Sequence, residues 1–575
     1  MKKITLSDAF KTHTEDQEKI ITPEKTLENF EQRLKGVELD IFEKTVRVDN
    51  NRLGIPVYFS MYGADARKLT GIRKQMGKGG TDVQARASAV MELAERFSFY
   101  AFLDDPAHFI FDSHKNLGAD AMPLSQIALS VHDQSDECQA ALEFFADFPQ
   151  RWAWATNLTA DRACLVPVDW FFAINEFNGT CAGNCTEEAL CQGICEVVER
   201  HVSERVSTLK LDVPAISRTG IADPIAKDLL AKYDNAGILV YLSDFSLDTG
   251  IPTVGVLAFD PITLNRSSEM VWTAGTTASP EKALNRALTE TAQLAGDFNS
   301  NRVYVASGLP KFTSLDQADF LMKPKKTVSI SELPDLSDPN IKVEIDNLVA
   351  TLARQGFNTY AIETTHEKLK IPAFYTMIPG TRFRERARNG SGGLFLAKLF
   401  TKYGPPEAAL ARLLQMEQKL PGQYYLAFYR GTQLMALDRP EEAIGALEQA
   451  LERGPEQEDL ADVLVWLAVA QKECGQLKKA LVLLEKACKI DDSRTDVYNL
   501  MGYCFFAQKE HHKAIDAFKK VLALDPGSAI DHANIASNYR DMGQTVEAIV
   551  WYEKALAIDP SIEFARNNLE RLKAI

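Results

Sequence analysis

The chain has 575 residues, 46% hydrophobic and 25% charged, proportions that exclude a disordered or collagen-like polymer and allow several buried cores. Its 64 Lys and Arg against 79 Asp and Glu give a net charge of −15, which argues against direct nucleic-acid binding or attachment to an anionic membrane. The first twenty residues lack the apolar core of a signal peptide, and no run reaches the roughly 18 apolar residues of a bilayer span, so a cytoplasmic protein away from membranes is expected. Nine cysteines are an odd, sparse set that suits reduced thiols.

In chain order, residues 1–59 are expected to pack on the body that follows. Residues 71–79, GIRKQMGKG, imitate a phosphate loop. They have five residues between the glycines, however, and Gly79 stands where Ser or Thr would hold magnesium, so Walker-type binding is rejected. Apolar spacing predicts helices over 82–102, 187–207 and 280–297, and strands over 238–242 and 251–259, which makes an α/β (α+β) body of about 380 residues. Cys181, Cys185, Cys191 and Cys195 cluster, but their spacing lacks the paired C-x-x-C of zinc sites, and packed thiols are expected. The charge run and glycines of TRFRERARNGSGG, residues 381–393, read as a hinge within a linker over 381–404.

The three helices carry the chemistry. On the first, Ser88, Glu92, Glu95 and Arg96 fall at i, i+4, i+7 and i+8, a polar ridge across an otherwise apolar helix. On the second, Glu188, Gln192, Glu196, Glu199 and Arg200 repeat the pattern, and a shift of 104 positions superposes the two ridges, which suggests a duplicated unit. The third aligns Arg286, Glu290 and Gln293. Carboxylates on apolar helices are costly to bury unless cations or donors meet them. Facing a common cleft, they would suit a hard divalent ion such as magnesium, with the arginines neutralising phosphate. Against this stands the plain alternative of a solvated face laced by i,i+4 ion pairs.

The C-terminal third repeats itself. Ala443, Ala480, Ala514 and Ala548 occupy one position of four aligned segments, and the last three of these alanines are evenly spaced. A second small position follows at Ala450, Ala487, Val521 and Ala555, and Pro455, Pro526 and Pro560 close three of the units. Gly475 and Gly543 sit at equivalent turns. Residues 405–575, with a capping helix from Pro405, resemble the tetratricopeptide repeat, a solenoid that commonly presents a concave surface to a protein partner.

Ser88-x-x-x-Glu92-x-x-Glu95-Arg96, then Asn178-Gly179, Glu188-Ala189 and Gly193-x-x-Glu196-x-x-Glu199-Arg200, then Arg286-Ala287-x-x-Glu290-x-x-Gln293 and the later IPAFYTMIPG, resemble the YcaO family over about 60–380. The resemblance implies an ATP-binding fold without a P-loop that uses ATP and magnesium to activate a peptide-backbone amide by phosphorylating its oxygen. It implies nucleotide contacts at Lys78, Ser88, Glu92, Glu95, Arg96, Glu188, Glu199, Arg200, Arg286 and Glu290, and magnesium ligands at Glu92, Glu95, Glu196 and Glu199. The nucleophile would be a side chain, an amine or a sulfide, giving azolines, amidines or thioamides from a peptide or protein substrate.

In place of the proline-rich tail of peptide-cyclising members, the body here is followed by the repeats and the chain ends LERLKAI, and no leader-binding domain is evident. Azoline formation is therefore less expected than in those members. Two other branches come into view, one accessory to modification of a small-subunit ribosomal protein and one that forms thioamides with a sulfur-handling partner. A homodimer is compatible with the same resemblance. The competing expectation is a non-catalytic nucleotide-binding scaffold that acts through its repeats.

Overall fold

In the computed structural model, which describes residues 3–15, 18–264, 266, 268–295, 298, 312, 314–383 and 391–574, the chain divides into two units, 1–392 and 393–575. The first unit opens with an extended segment and helix α1 (Pro23–Leu34), started by the Thr22 hydroxyl, which accepts the Lys25 N–H. Strands β1 (Phe42–Arg47), β2 (Val57–Tyr62) and β3 (Lys74–Lys78) follow as an antiparallel sheet in that order. Helix α2 (Asp82–Asp104) lies on it, capped by Thr81 and stopped at Asp105, ahead of Pro106, which disfavours further helix.

Strands β4 (Ile110–Asp112), β5 (Gln150–Asn157), β6 (Arg162–Pro167) and β7 (Thr180–Ala182) begin a second sheet. Helix α3 (Thr186–Leu209) runs from its edge and ends at Lys210, in the left-handed region at φ 47°. A third sheet is built from β8 (Ala215–Ile216), β9 (Leu239–Asp244), β10 (Thr253–Phe259), β11 (Val271–Thr276) and β12 (Thr327–Val328), in the order β11–β10–β9–β8–β12. Helix α4 (Pro280–Ala295) packs on it. After α5 (Ile341–Arg354), strands β13 (Tyr360–Glu363) and β14 (Ala373–Met377) complete the second sheet as β4–β5–β13–β14–β7, with β6 also paired to β5. The expected helices and strands are all present, except that positions 296 and 297 of the third helix lie outside the described residues.

Two glycines set how deeply the helices seat on their sheets. A Cβ at Gly77 of β3 would fall 2.0 Å from the Ala89 amide nitrogen of α2, and one at Gly275 of β11 would fall 2.3 Å from the Ala283 carbonyl oxygen of α4. Only a hydrogen at these positions lets α2 and α4 approach so closely. The faces turned to the sheets carry Ala85 and Ala89 on α2, and Ala283 and Ala287 on α4, all fully buried. Small residues on both sides of each contact thereby hold the polar ridges of these helices at fixed heights.

The extended N-terminal segment is tied to the same body by its backbone. Ser7 and Ile20 donate their N–H groups to Glu187 and Glu188, both at 2.6 Å, and the Ala9 N–H meets the Asn340 side chain at 2.9 Å. Lys11 is buried between Glu344 at 2.5 Å and Glu18 at 3.0 Å.

The second unit is helical, running from α6 (Gly392–Lys402) through α7 (Pro406–Lys419). Four hairpins follow: α8 (Tyr424–Ala436) with α9 (Pro440–Glu452), α10 (Gln457–Glu473) with α11 (Leu477–Ile490), α12 (Thr495–Ala507) with α13 (His511–Leu524), and α14 (Ala529–Asp541) with α15 (Thr545–Ile558). Helix α16 (Glu563–Lys573) closes the array. The aligned alanines at 443, 480, 514 and 548 are all fully buried, as are Ala450, Ala487 and Ala555. Small side chains there let adjacent helices meet at close range. The stretch 381–404 is not uniformly a linker, because its GGLFLAKLFTK run forms α6. Leu396, Ala397, Leu399 and Phe400 give that run a buried face. The charge run at 384–390, read as part of a hinge, lies outside the described residues.

Candidate functional site

Helices α2, α3 and α4 converge on one cleft of about 260 Å³. Its walls carry Lys78, Ser88, Glu92, Glu95, Arg96, Glu188, Glu196, Arg200, Arg286 and Glu290, drawn from segments far apart in the chain. The ridges read from sequence therefore face one another and not bulk solvent.

On α2, Arg96 lies 3.0 Å from Glu95 and 3.8 Å from Glu92, and its guanidinium stacks over the Phe177 ring at 4.6 Å. The Thr180 hydroxyl donates to Glu95 at 2.6 Å and also meets Arg96. Burial pushes the Glu95 carboxyl well up against the pull of Arg96, and the negative neighbours Glu196 and Glu92 add to that. Glu196 of α3 is also pushed up by burial, although Arg200, Arg96 and Arg286 oppose it. Arg200 stands 3.8 Å from Glu196.

Lys78, at the end of β3, pairs with Glu290 of α4. Burial and the neighbouring Arg286 lower its pKa from 10.5 to about 8. Arg286 is fixed at two points: its Nε donates to Glu199 Oε2 at 3.0 Å and its Nη1 to Gln192 Oε1 at 2.9 Å.

Two expected ligands are placed differently from their neighbours. Glu199, read as a magnesium and nucleotide ligand, has Oε2 engaged by Arg286 and by the Thr276 N–H at 3.1 Å, and it is 3% exposed behind the cleft wall. Through Oε2 it anchors Arg286. Glu188 reaches the cleft, but its carboxylate accepts N–H bonds from Ile20, from the Asn184 backbone at 3.0 Å and from the Asn184 side chain at 2.9 Å. It thus ties the N-terminal segment to the start of α3.

The cleft also contains Lys19, Asn184, Gln192 and Gln293. Gln192 and Gln293 were visible on the sequence ridges. Lys19 and Asn184 carried no spacing signal. The Gln293 Oε1 is buried without a hydrogen-bond partner among the described residues. Behind Arg286 and Gln192, a smaller cavity of about 80 Å³ is lined in part by Cys191 and Cys195. Cys191 is pushed well above the ordinary thiol range, chiefly by its contact with Cys195 and by burial.

Among the described residues, no three His, Cys, Asp or Glu side chains are already gathered as a metal cage. The donor chemistry nevertheless fits a hard cation with outside oxygens. Glu92, Glu95 and Glu196 offer carboxylates whose mutual repulsion a divalent ion would relieve, and magnesium completes its shell with water or phosphate oxygens. Lys78, Arg200 and Arg286 offer donors to those phosphates.

Fold and cleft together define an α/β protein with a mixed-charge pocket, joined to a helical-repeat solenoid. A family profile described as YcaO cyclodehydratase, ATP- and Mg2+-binding, matches residues 76–382, just over half of the chain. The chain belongs to the YcaO family, whose cofactors are ATP and Mg2+. Tetratricopeptide-repeat profiles match 434–502, 495–528 and 532–562.

An uncharacterized protein of Methanothermobacter thermautotrophicus is 27% identical over 381 residues, 63% of this chain and 94% of that one. Among solved structures, a heterocyclase in complex with substrate and cofactor aligns with a TM-score of 0.56 at 21% identity, covering 68% of this chain and 56% of that one. The YcaO protein of Methanopyrus kandleri, bound with AMPPCP and Mg2+, aligns at 0.51 and 20% identity, covering 67% of this chain and all of that one. The chain thus spans just over half the length of the heterocyclase it matches. These likenesses carry the fold.

Proposed function

We propose that the cleft binds ATP with magnesium and uses it to activate a backbone amide of a peptide or protein, while the repeats recruit a protein partner or the substrate. The observation that supports this most is the meeting of the three polar ridges in one cleft. ATP bound there supplies the phosphoryl group that turns a poor leaving group, the amide oxygen, into phosphate, and magnesium supplies charge neutralisation among the phosphate oxygens.

In this reading the chain's own residues position and neutralise. Glu92, Glu95 and Glu196 supply hard oxygen ligands, and Ser88 adds a hydroxyl on the same wall. Arg286, held by Glu199 and Gln192, presents a planar donor whose orientation is set before any ligand arrives. Arg96 keeps Glu95 from being left as an isolated buried charge. Lys78, released from Glu290, can follow a phosphate oxygen. Partial burial of the set strengthens these interactions relative to water, most for Lys78, Glu95 and Arg96 and least for Glu92 and Arg200.

The attacking group would be a side chain, an amine or a sulfide, the last requiring a sulfur-handling partner, and a homodimer would be compatible with all three. Phosphate release by the purified full chain with magnesium, compared with a Glu92→Gln, Glu196→Gln double variant, tests the proposal. Release that falls about a hundredfold or more supports it. Tight nucleotide binding with equal, background-level release in both proteins favours a nucleotide-binding scaffold instead.

A further inference from the structure

The helical unit carries a groove of about 560 Å³ between the first helices of successive hairpins. Its two sides repeat one pattern. Asp462, Trp466 and Val469 fall at i, i+4 and i+7 on α10, and Asp496, Leu500 and Tyr503 occupy the equivalent positions on α12, one repeat further along. Trp466 lines the groove at 38% exposure, whereas Tyr503, 49% exposed just beyond the lining, already carries the Lys472 ammonium over its ring at 4.8 Å. Asp462 and Asp496 are each 51% exposed at the side chain and share Arg494, at 2.5 and 2.7 Å. Two carboxylates against one guanidinium leave a net negative charge beside the aromatic step, and the exposed Asp525 adds another at the groove.

The sign extends along the array. Acidic residues outnumber basic ones seven to three on α8, α10, α12 and α14, whereas α11 and α13, the second helices of the two hairpins that frame the groove, carry seven basic and two acidic residues. An acidic trough with an aromatic and aliphatic floor is complementary to a cationic, partly apolar chain.

We propose that this groove takes an extended segment of a partner protein in which Lys or Arg alternates with aliphatic residues. The cations would sit between Trp466 and the carboxylates, and the aliphatic side chains on Val469 and Leu500. The proposal rests on the reading that the repeats recruit a protein, and it names the chemistry of what they recruit.

The test uses the full chain and two fluorescein-labelled twelve-residue peptides, one alternating Lys and Leu and one alternating Glu and Leu, read by anisotropy, with magnesium-nucleotide binding measured in parallel. The lysine peptide should bind at least tenfold more tightly than the glutamate peptide. Trp466→Ala should weaken it about tenfold and Asp525→Asn about threefold, with nucleotide affinity unchanged. Trp466→Phe replaces Trp466→Ala should the latter lose helix content by circular dichroism, and it should weaken binding at least twofold. Equal affinities for the two peptides, a preference for glutamate, or lysine-peptide binding that the variants leave unchanged would overturn the proposal. So would a dimer of the full chain that Trp466→Ala dissolves, since the groove would then be filled by a second copy. Failure here with intact nucleotide binding sinks only this inference, whereas loss of nucleotide binding in the unmodified chain sinks the reading of the cleft.

Discussion

Arg286 of α4 donates its Nε to Glu199 of α3 across 3.0 Å, although the two lie 87 residues apart in the chain. The bond orients a guanidinium on the cleft wall through a carboxylate that is itself almost wholly buried. Glu199→Gln keeps the shape and removes the charge. We expect it to weaken nucleotide affinity by about tenfold, roughly 1.4 kcal/mol, in isothermal titration. Glu199→Ala should also lower the thermal midpoint, because it leaves the buried Arg286 without its anion.

Lys78 gives the cleft a pH dependence with a defined sign. Its folded pKa of about 8 lies below the ordinary 10.5, so it is charged below pH 8 and neutral above. Burial lowers it most, Arg286 and Arg200 lower it further, and Glu92 and Glu199 raise it. Nucleotide affinity of the unaltered chain should fall severalfold between pH 7 and 9, while Lys78→Arg should hold its affinity over that window. As a folding term the same shift favours the folded state only above pH 10.5, and that contribution is lost as pH falls toward 8.

In the repeats, the turns between paired helices place Asp438, Gly475, Lys509 and Gly543 in the left-handed region, at φ 56°, 72°, 64° and 75°. Only two of the four are glycine. Lys509→Gly relieves the Cβ conflict at that turn and should stabilise the chain by about 0.5–1 kcal/mol in urea unfolding, net of the extra freedom glycine brings to the unfolded chain. Gly475→Ala should destabilise it by a similar amount.

All nine cysteines are free thiols. Burial pushes Cys138 and Cys164 up to about 11, and it raises Cys181 well above the ordinary thiol range, with the Glu95 carboxylate adding to burial. A disulfide-exchange reagent at pH 8 should therefore leave these three unlabelled in the folded chain, and label them only after denaturation. Peptide mapping by mass spectrometry reads the result.

The three helices were legible in the sequence because each is long, and its apolar face leaves the acidic ridge as a visible interruption. The repeats were legible because Ala443, Ala480, Ala514 and Ala548 must all be small for the same packing reason. Spacing could not separate Glu196 from Glu199. Three positions apart on one helix, they point within about 60° of each other, and only the position of Arg286 on another helix decides that one faces the cleft and the other its anchor. For the N-terminal segment, packing on the body was expected, but its points of attachment had no sequence signal for a different reason. It is held largely through backbone N–H groups, at Ile4, Ser7, Ala9 and Ile20, which nearly any residue can supply. Helix α6 was obscured by its opening glycines, which mark a hinge as readily as a helix start. The pairing of β13 with β5 joins strands far apart in the chain and has no local signature.

The most direct test of the cleft is calorimetric titration of a non-hydrolysable ATP analogue into the full chain, with and without magnesium, beside the Glu92→Gln, Glu196→Gln double variant. A single site per chain should appear in the unaltered protein, tightened at least tenfold by magnesium, and the double variant should lose that magnesium gain. Absence of binding, or equal binding by both proteins regardless of magnesium, would contradict the account.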